Sequence, residues 1–256
     1  MVDACRLAKQ PLPHERLFEW HRALFPVGGK NVGCYRTGDA PMRVISDIIG
    51  KEQVHFEAPP SSSVPQMMDD LLKWINSDHP IDPIIQSAIG ALWFVTIHPF
   101  ADGNGRLSRT ITDMLLVRAD NMPQRYYSMT AAIEQNRSEY YQILEMTQHG
   151  NMDITPWLTW FLHCLETALD HAKIEIQEAV ETVRFWEKYA DVPFNERQRR
   201  VLTRFIAHFD GRLTSSKYAK LAKCSQDTAL RDIQELMAHG ILTTAGSGRG
   251  THYVLK

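Results

Sequence analysis

The sequence predicts a mainly α protein of two modules. One is a helical bundle interrupted by a β-hairpin; the other is a small C-terminal domain of three helices and a second hairpin. Three observations lead there. Apolar residues recur every three to four positions over most of the 256 residues, which is the spacing of one buried helix face. Residues 84–97, IIQSAIGALWFVTI, are apolar on nearly every side and so belong at the centre of a bundle. Charge is divided unevenly: residues 194–256 hold eleven Lys+Arg against five Asp+Glu, a net of +6, while the rest carries −8. Such an asymmetry suggests modules with different partners, the basic one being the nucleic-acid candidate.

The first expected helix, 14–24, follows Pro13 and aligns Leu17, Phe18, Trp20 and Leu24. Arg43-Val44-Ile45-Ser46 and Gln53-Val54-His55-Phe56 are short β-like runs around Ile49-Gly50-Lys51, predicting a hairpin over 43–57. Ala58-Pro59-Pro60-Ser61-Ser62-Ser63 closes it as a loop. Residues 64–75 return to helical spacing through Met67, Met68, Leu71, Leu72 and Ile75. The apolar 84–97 helix follows. Further helices are expected over 105–118, 130–148 and 155–169, the last running on towards Tyr189. Their aromatic and Met stripes read as core packing.

The pattern changes at Asp191-Val192-Pro193. Residues 197–209 place Val201, Leu202, Phe205, Ile206 and Phe209 on one face. Thr214 or Ser215 can cap a second helix with Tyr218 and Leu221, and Ser225 a third with Leu230, Ile233, Leu236 and Met237 inward. Strands at 241–244 and 251–255 flank Gly246-Ser247-Gly248-Arg249-Gly250. Three helices and a hairpin over 194–256 outline a winged helix.

Composition narrows the class. With 44% hydrophobic and 23% charged residues, the chain can bury a core, which excludes a disordered tail protein or a collagen-like chain. Cys5, Cys34, Cys164 and Cys224 are scattered without a CxxC pair, so reduced intracellular thiols are expected instead of a disulfide framework. The N-terminus lacks an apolar signal region, and no stretch approaches the roughly 18 apolar residues of a membrane span. A cytoplasmic protein with no membrane partner is expected. The histidines form neither HExxH nor a Cys/His set, so no zinc site is expected. The His163-Cys164 pair reads as packing.

The chemistry concentrates in His98-Pro-Phe-Ala-Asp-Gly-Asn-Gly-Arg-Leu-Ser-Arg109, directly after the central apolar helix. Gly103-Asn104-Gly105 leads into the next helix, where free backbone N–H groups and the helix dipole make an anion cradle. Arg106 and Arg109 are three apart on that helix's first turn, able to hold successive phosphates. Asp102 is a hard oxygen ligand suited to Mg²⁺ bridging phosphates. His98 has the neutral-range pKa that suits a base taking a proton from a hydroxyl nucleophile. Together these parts describe a phosphate-ester transfer site.

This segment resembles the signature of the Fic family, HxFx(D/E)GNGRxxR, at all eight specified positions. Gly33–Arg36, the 43–57 hairpin, the 67–76 and 84–97 helices, and Ser138-Glu-Tyr140-Tyr141 extend the resemblance over residues 1–190. It implies a Fic-type helical bundle with a β-hairpin flap, transferring AMP from ATP to a Ser, Thr or Tyr hydroxyl of a target protein. His98 would be the base and Asp102 the Mg²⁺ ligand. Asn104, Gly103 and Gly105 would hold the α-phosphate, and Arg106 and Arg109 the outer phosphates. Val54, His55, Phe56, Glu57 and Tyr140 fall where the family contacts the nucleotide, and the hairpin would align the target by strand-like pairing. Gly103 stands where the related Doc phosphotransferases carry Lys, which implies AMP transfer instead of γ-phosphate transfer. The family's inhibitory pattern [ST]xxxE[GN] is not matched; Thr130 to Gln135 comes closest but ends in Gln. An inhibitory N-terminal region is then expected to have been removed or to reside in a partner.

For the basic tail, Gln226, Thr228 and Arg231 would face a duplex DNA groove and Arg249 the wing-tip contact. Asp227 favours protein contacts or a homodimer instead. Two alternatives stand beside the transferase: a nucleotide-sensing DNA-binding regulator, and a Fic enzyme using another nucleotide or removing AMP.

Overall fold

The computed structural model describes residues 2–29, 31–45, 54–120, 125–206 and 211–256. The chain divides into two compact units, Met1–Ala172 and Lys173–Lys256.

The first unit opens with α1 (Val2–Arg6) and α2 (His14–Leu24), then the hairpin strands β1 (Arg43–Ile45) and β2 (Val54–Glu57). Helices α3 (Val64–Asn76), α4 (Pro83–Ile97), α5 (Asn104–Asp120), α6 (Met129–Gln135) and α7 (Arg137–Gln148) follow, and α8 (Thr155–Lys188) continues into the second unit. Helix α4 explains its own composition. Asp82 caps it by accepting from the Ile84 N–H at 2.8 Å, with Pro83 in the first turn. Its Phe94 and Ile97 enter a core with Leu17, Met68, Leu71 and Ile111. Its Ala88, Leu92 and Val95 enter another with Trp157, Trp160 and Phe161. A helix packed on two sides must be apolar all round. Gly90 lets α5 approach, since a Cβ there would meet Leu115 Cδ1 at 3.0 Å.

Three details depart from expectation. Helix α1 was not foreseen: five residues are too short for periodicity, and it is held by the Asp3 carboxylate, which accepts from Arg16 Nε at 3.0 Å and Trp20 Nε1 at 2.8 Å. The single helix expected over 130–148 is two, because Asn136 leaves helical geometry and its side chain bonds the Ala132 carbonyl at 3.1 Å. The hairpin pairs antiparallel as expected, Arg43 opposite Glu57 and Val44 opposite Phe56, with an irregularity after Val44. Its expected tip, Ile49-Gly50-Lys51, lies outside the described residues.

The second unit holds the end of α8, then α9 (Glu196–Ile206), α10 (Ser215–Ala222), α11 (Gln226–Ala238) and the antiparallel strands β3 (Leu242–Ala245) and β4 (His252–Leu255). Thr214 and Ser225 cap α10 and α11 by accepting from the Lys217 and Thr228 N–H groups. Phe209, the last apolar residue of the expected 197–209 helix, falls outside the described residues. The unit begins earlier than the expected 194 because Phe185, Trp186 and Tyr189 of the α8 segment pack on the core of Val201, Leu202, Tyr218, Ile233 and Leu236. At the hairpin, Gly246 has φ +77° and no room for a Cβ, which would meet the Gly250 carbonyl oxygen at 2.6 Å.

Asp232 joins α9 to α11. It is 2% exposed and accepts from Arg197 Nε and Nη2 at 2.8 and 2.9 Å and from Asn195 Nδ2 at 3.0 Å. Burial alone would raise its carboxyl pKa, but these bonds bring it below the ordinary value. A depressed carboxylate stabilises the fold above its unfolded pKa and loses that effect as pH falls through the folded one. Asp232→Asn is expected to destabilise this unit by about 2 kcal/mol at neutral pH, with the difference from wild type shrinking in acid. Hydrogen exchange of α9 and α11 in the full chain measures it; equal protection of the two proteins at neutral pH would refute the assignment.

Candidate active site

The site grows from the connection between α4 and α5. Helix α4 ends at His98, whose backbone is left-handed at φ 51° and ψ 57°, a conformation that only strong local contacts impose on a non-glycine residue. The loop closes at Asn104, the first residue of α5. Its Oδ1 accepts from the Phe100 N–H at 2.9 Å and its Nδ2 donates to the Phe100 carbonyl at 2.8 Å. Asn104 is buried. Both polar ends of the Asn104 side chain serve the loop, so Asn104 shapes the cradle. Gly103 has φ +80°, and a Cβ there would crowd Phe25 at 3.3 Å and Leu24 at 3.4 Å.

His21 of α2 supports the same loop from below. Its Nδ1 accepts from the Gly33 N–H at 2.8 Å, so Nε2 carries the proton and donates to the Asp102 carbonyl at 3.1 Å. The ring stacks on Phe100 with centroids 4.2 Å apart. Burial lowers its pKa, chiefly by desolvation, and keeps it neutral.

His98 is likewise lowered, first by burial and further by the Arg36 charge, against the opposing effects of the Val95 hydrogen bond and Asp102. Its Nδ1 lies 3.2 Å from the Val95 carbonyl oxygen. A carbonyl only accepts, so Nδ1 carries the proton and Nε2 keeps a lone pair. That is the tautomer a base requires.

His98 lines a cleft together with Gly105 and Arg109 of α5, Val44, His55 and Phe56 of the hairpin, Val95 of α4, and Tyr140, Tyr141, Leu144, Glu145 and Gln148 of α7. Of the predicted residues, the cleft thus gathers His98, Gly105, Arg109, His55, Phe56 and Tyr140. Asp102 and Arg106 stand outside it, exposed, with Asp102 Oδ2 3.6 Å from Arg106 Nη2 and Arg106 resting 4.8 Å over the Phe25 ring. Asp102 Oδ1 accepts from the Gly103 N–H at 2.6 Å. Val54 and Glu57 do not line the cleft: Val54 is 47% exposed, and Glu57 is tied across the hairpin to Arg43 Nε at 3.0 Å. Tyr140 is buried against Trp157 and Trp160, which pushes its phenol up to about 12.

Sequence reasoning missed the α7 wall. Tyr141, Leu144, Glu145 and Gln148 follow the i, i+3, i+4, i+7 spacing of one helix face, which was a readable signal. Glu145 Oε2 lies 2.7 Å from His55 Nδ1, tying β2 to α7 across the cleft. Arg36 and His21 carried no such signal, because each acts on backbone groups distant in sequence. Among the described residues, no three His, Cys, Asp or Glu side chains converge as a metal cage. A lone exposed carboxylate at a helix N-terminus suits Mg²⁺, which binds through one or two carboxylates and substrate phosphates.

Comparison with known proteins matches the stretch that carries the signature. The Fic/DOC family model matches residues 11–116. Proteins called protein adenylyltransferase Fic from Drosophila sechellia and Drosophila melanogaster are each 36% identical over 106 residues, 41% of this chain and 20% of theirs. The chain therefore spans only about a fifth of the length of these relatives. A Fic family protein of Desulfovibrio desulfuricans superposes with a TM-score of 0.56 at 24% identity, covering 99% of this chain and 72% of its own. A Fic domain containing signaling protein of Bacteroides thetaiotaomicron gives 0.53 at 21% identity over 67% of this chain and 66% of its own. With the family model matched and the same fold found in these structures, the chain carries a Fic/DOC family domain over residues 11–116.

Proposed function

We propose that the first unit transfers AMP from ATP to a hydroxyl side chain of a target protein. The observation that carries this reading is His98, neutral, with Nδ1 bonded to Val95 and Nε2 available, in a cleft shared with Gly105 and Arg109 at the start of α5. The adenylyltransferase names of the 36% identical relatives support the choice of reaction. The target oxygen attacks the α-phosphorus while His98 Nε2 takes its proton. The bond from the α-phosphorus to the oxygen bridging to the β-phosphate breaks, and pyrophosphate leaves with the electron pair. The first backbone N–H groups of α5 face this charge with the helix dipole, and Arg106 and Arg109 bind the outer phosphates. Asp102 would hold Mg²⁺, which neutralises phosphate charge when bound. Tyr140 and the hairpin residues His55 and Phe56 enclose the nucleotide.

For the second unit, we propose a winged helix that contacts duplex DNA. The net +6 of residues 194–256 supports it, as does the exposure of Gln226 and Arg231 at the start of α11. The Arg249 side chain, expected at the wing tip, lies outside the described residues. Asp227 is exposed on the same turn and is the element that speaks for a protein partner or a second copy of the chain.

Three outcomes are expected. His98→Ala lowers AMP transfer by about 10²–10⁴-fold with ATP affinity nearly unchanged. The acid limb of the wild-type pH–rate profile has its midpoint below the ordinary His value, since burial lowers the His98 pKa. Labelled ATP and a target lysate read both, and near-normal transfer by the variant would remove His98 as the base. Asp102→Ala makes nucleotide binding insensitive to Mg²⁺; titration calorimetry with and without the metal checks this, and an unchanged Mg²⁺ response removes Asp102 from the site. For the tail, deleting 194–256 would uncover Phe185, Trp186 and Tyr189, so substitution in the full chain is cleaner. Gln226→Ala with Arg231→Ala should weaken duplex retention and flatten its salt dependence by about one phosphate contact; retention indistinguishable from wild type at low salt counts against DNA binding.

A further inference from the structure

We propose that Arg36, steadied by its neighbour Tyr35, is a positioning residue for His98, bracing the end of α4 so that the imidazole is held for proton transfer. The inference rests on the role given above to His98. The last carbonyls of a helix lack intrahelical partners, and Arg36 supplies them from a distant segment. Its Nε donates to the His98 carbonyl at 2.7 Å, and Nη2 donates to Ile97 O at 3.3 Å and Pro59 O at 2.5 Å. Its backbone N–H donates to the Pro99 carbonyl at 2.9 Å. The side chain is buried. Four bonds thus fall on residues 59, 97, 98 and 99, and they hold His98 in its left-handed conformation.

Tyr35 secures the other side. Its ring packs edge-on against Phe18 at 4.8 Å and lies 5.4 Å from Phe100, inside the same loop. Its hydroxyl lies 2.6 Å from His14 Nδ1, and His14 Nε2 lies 2.7 Å from Asp69 Oδ1. The dipeptide therefore grips both His98 and Phe100 and is itself anchored to α2 and α3. A lysine cannot replace Arg36 here, because one ammonium cannot present the planar fork that reaches three carbonyls in two segments. The guanidinium also places a positive charge beside His98, opposed by Asp102; His55, Arg109, Tyr140, Tyr141 and Glu145 are the other titratable groups facing the same cleft.

The two functions of Arg36, holding and charge, separate in two variants of the full chain. Arg36→Met keeps length and removes charge; Arg36→Lys keeps charge and loses the fork. Long-range ¹H–¹⁵N spectra, with the His98 signal assigned by its loss in His98→Gln, report its titration and tautomer. Arg36→Met should titrate His98 at higher pH than wild type and lose the single Nδ1–H tautomer, while Arg36→Lys should titrate near wild type. Both should lower kcat for AMP transfer by about 10²-fold, with KM for ATP within about twofold of wild type. The proposal is overturned if Arg36→Met leaves both titration and tautomer unchanged, or if folded Arg36→Lys keeps wild-type kcat. Should Arg36→Met fail to fold, the kcat and KM of Arg36→Lys decide alone. If wild type transfers no AMP, the functional reading fails, and the spectra still decide the brace.

Discussion

The double hydrogen bond between the Asn104 side chain and the backbone of Phe100 is the constraint on which the site depends. Helices α4 and α5 are both largely buried, and of the residues joining them Pro99, Phe100 and Gly103 are buried while Ala101 and Asp102 reach the surface. Loop backbone in such a place needs a partner for every polar group. Asn104 supplies two, His21 takes the Asp102 carbonyl, and Arg36 takes those of Ile97 and His98. With these bonds made, the first turn of α5 and the His98 imidazole face one cleft. Any of them left unmade would orphan buried polar groups, and the loop would lose its single shape.

The same packing governs protonation. His21 and His98 are both pushed below the ordinary histidine range by burial, and both use one ring nitrogen to hold backbone. Groups depressed in this way support the fold above the ordinary value near 6.5 and lose that support as pH falls through their lowered values. Protonating His21 would also break its bond from the Gly33 N–H, since a charged imidazole has no acceptor. The loop and the neutral His98 ring are thus kept intact over one pH range by one cause.

Helix α8 shows how a single element serves two cores. Its first turns bring Trp157, Trp160 and Phe161 to the wall behind Tyr140, and its last bring Phe185 and Trp186 to the core of the second unit. The boundary between Ala172 and Lys173 falls inside this helix. The composition shift at Asp191-Val192-Pro193 marks where the helical run stops, which is a different property from where one core ends and another begins.

Much of this protein was legible in the linear chain. Periodic apolar faces located most helices, alternation and turn residues located both hairpins, and the eight positions of the 98–109 signature located the loop, His98 and the arginines. These are local properties, governed by 3.6- and 2-residue periods and by the conformations open to glycine and proline. What the chain could not declare is set by contacts across long separations. Asn104 spends one donor and one acceptor on the backbone of Phe100, which no local pattern announces. Glu57 pairs with Arg43 across the hairpin, and Glu145 joins the cleft only because α7 lies against β2. Arg36 stands 62 residues before the carbonyl it holds. Which backbone groups are left without a partner is known only once the helices have packed, and those groups are what single out Arg36, His21 and Asn104.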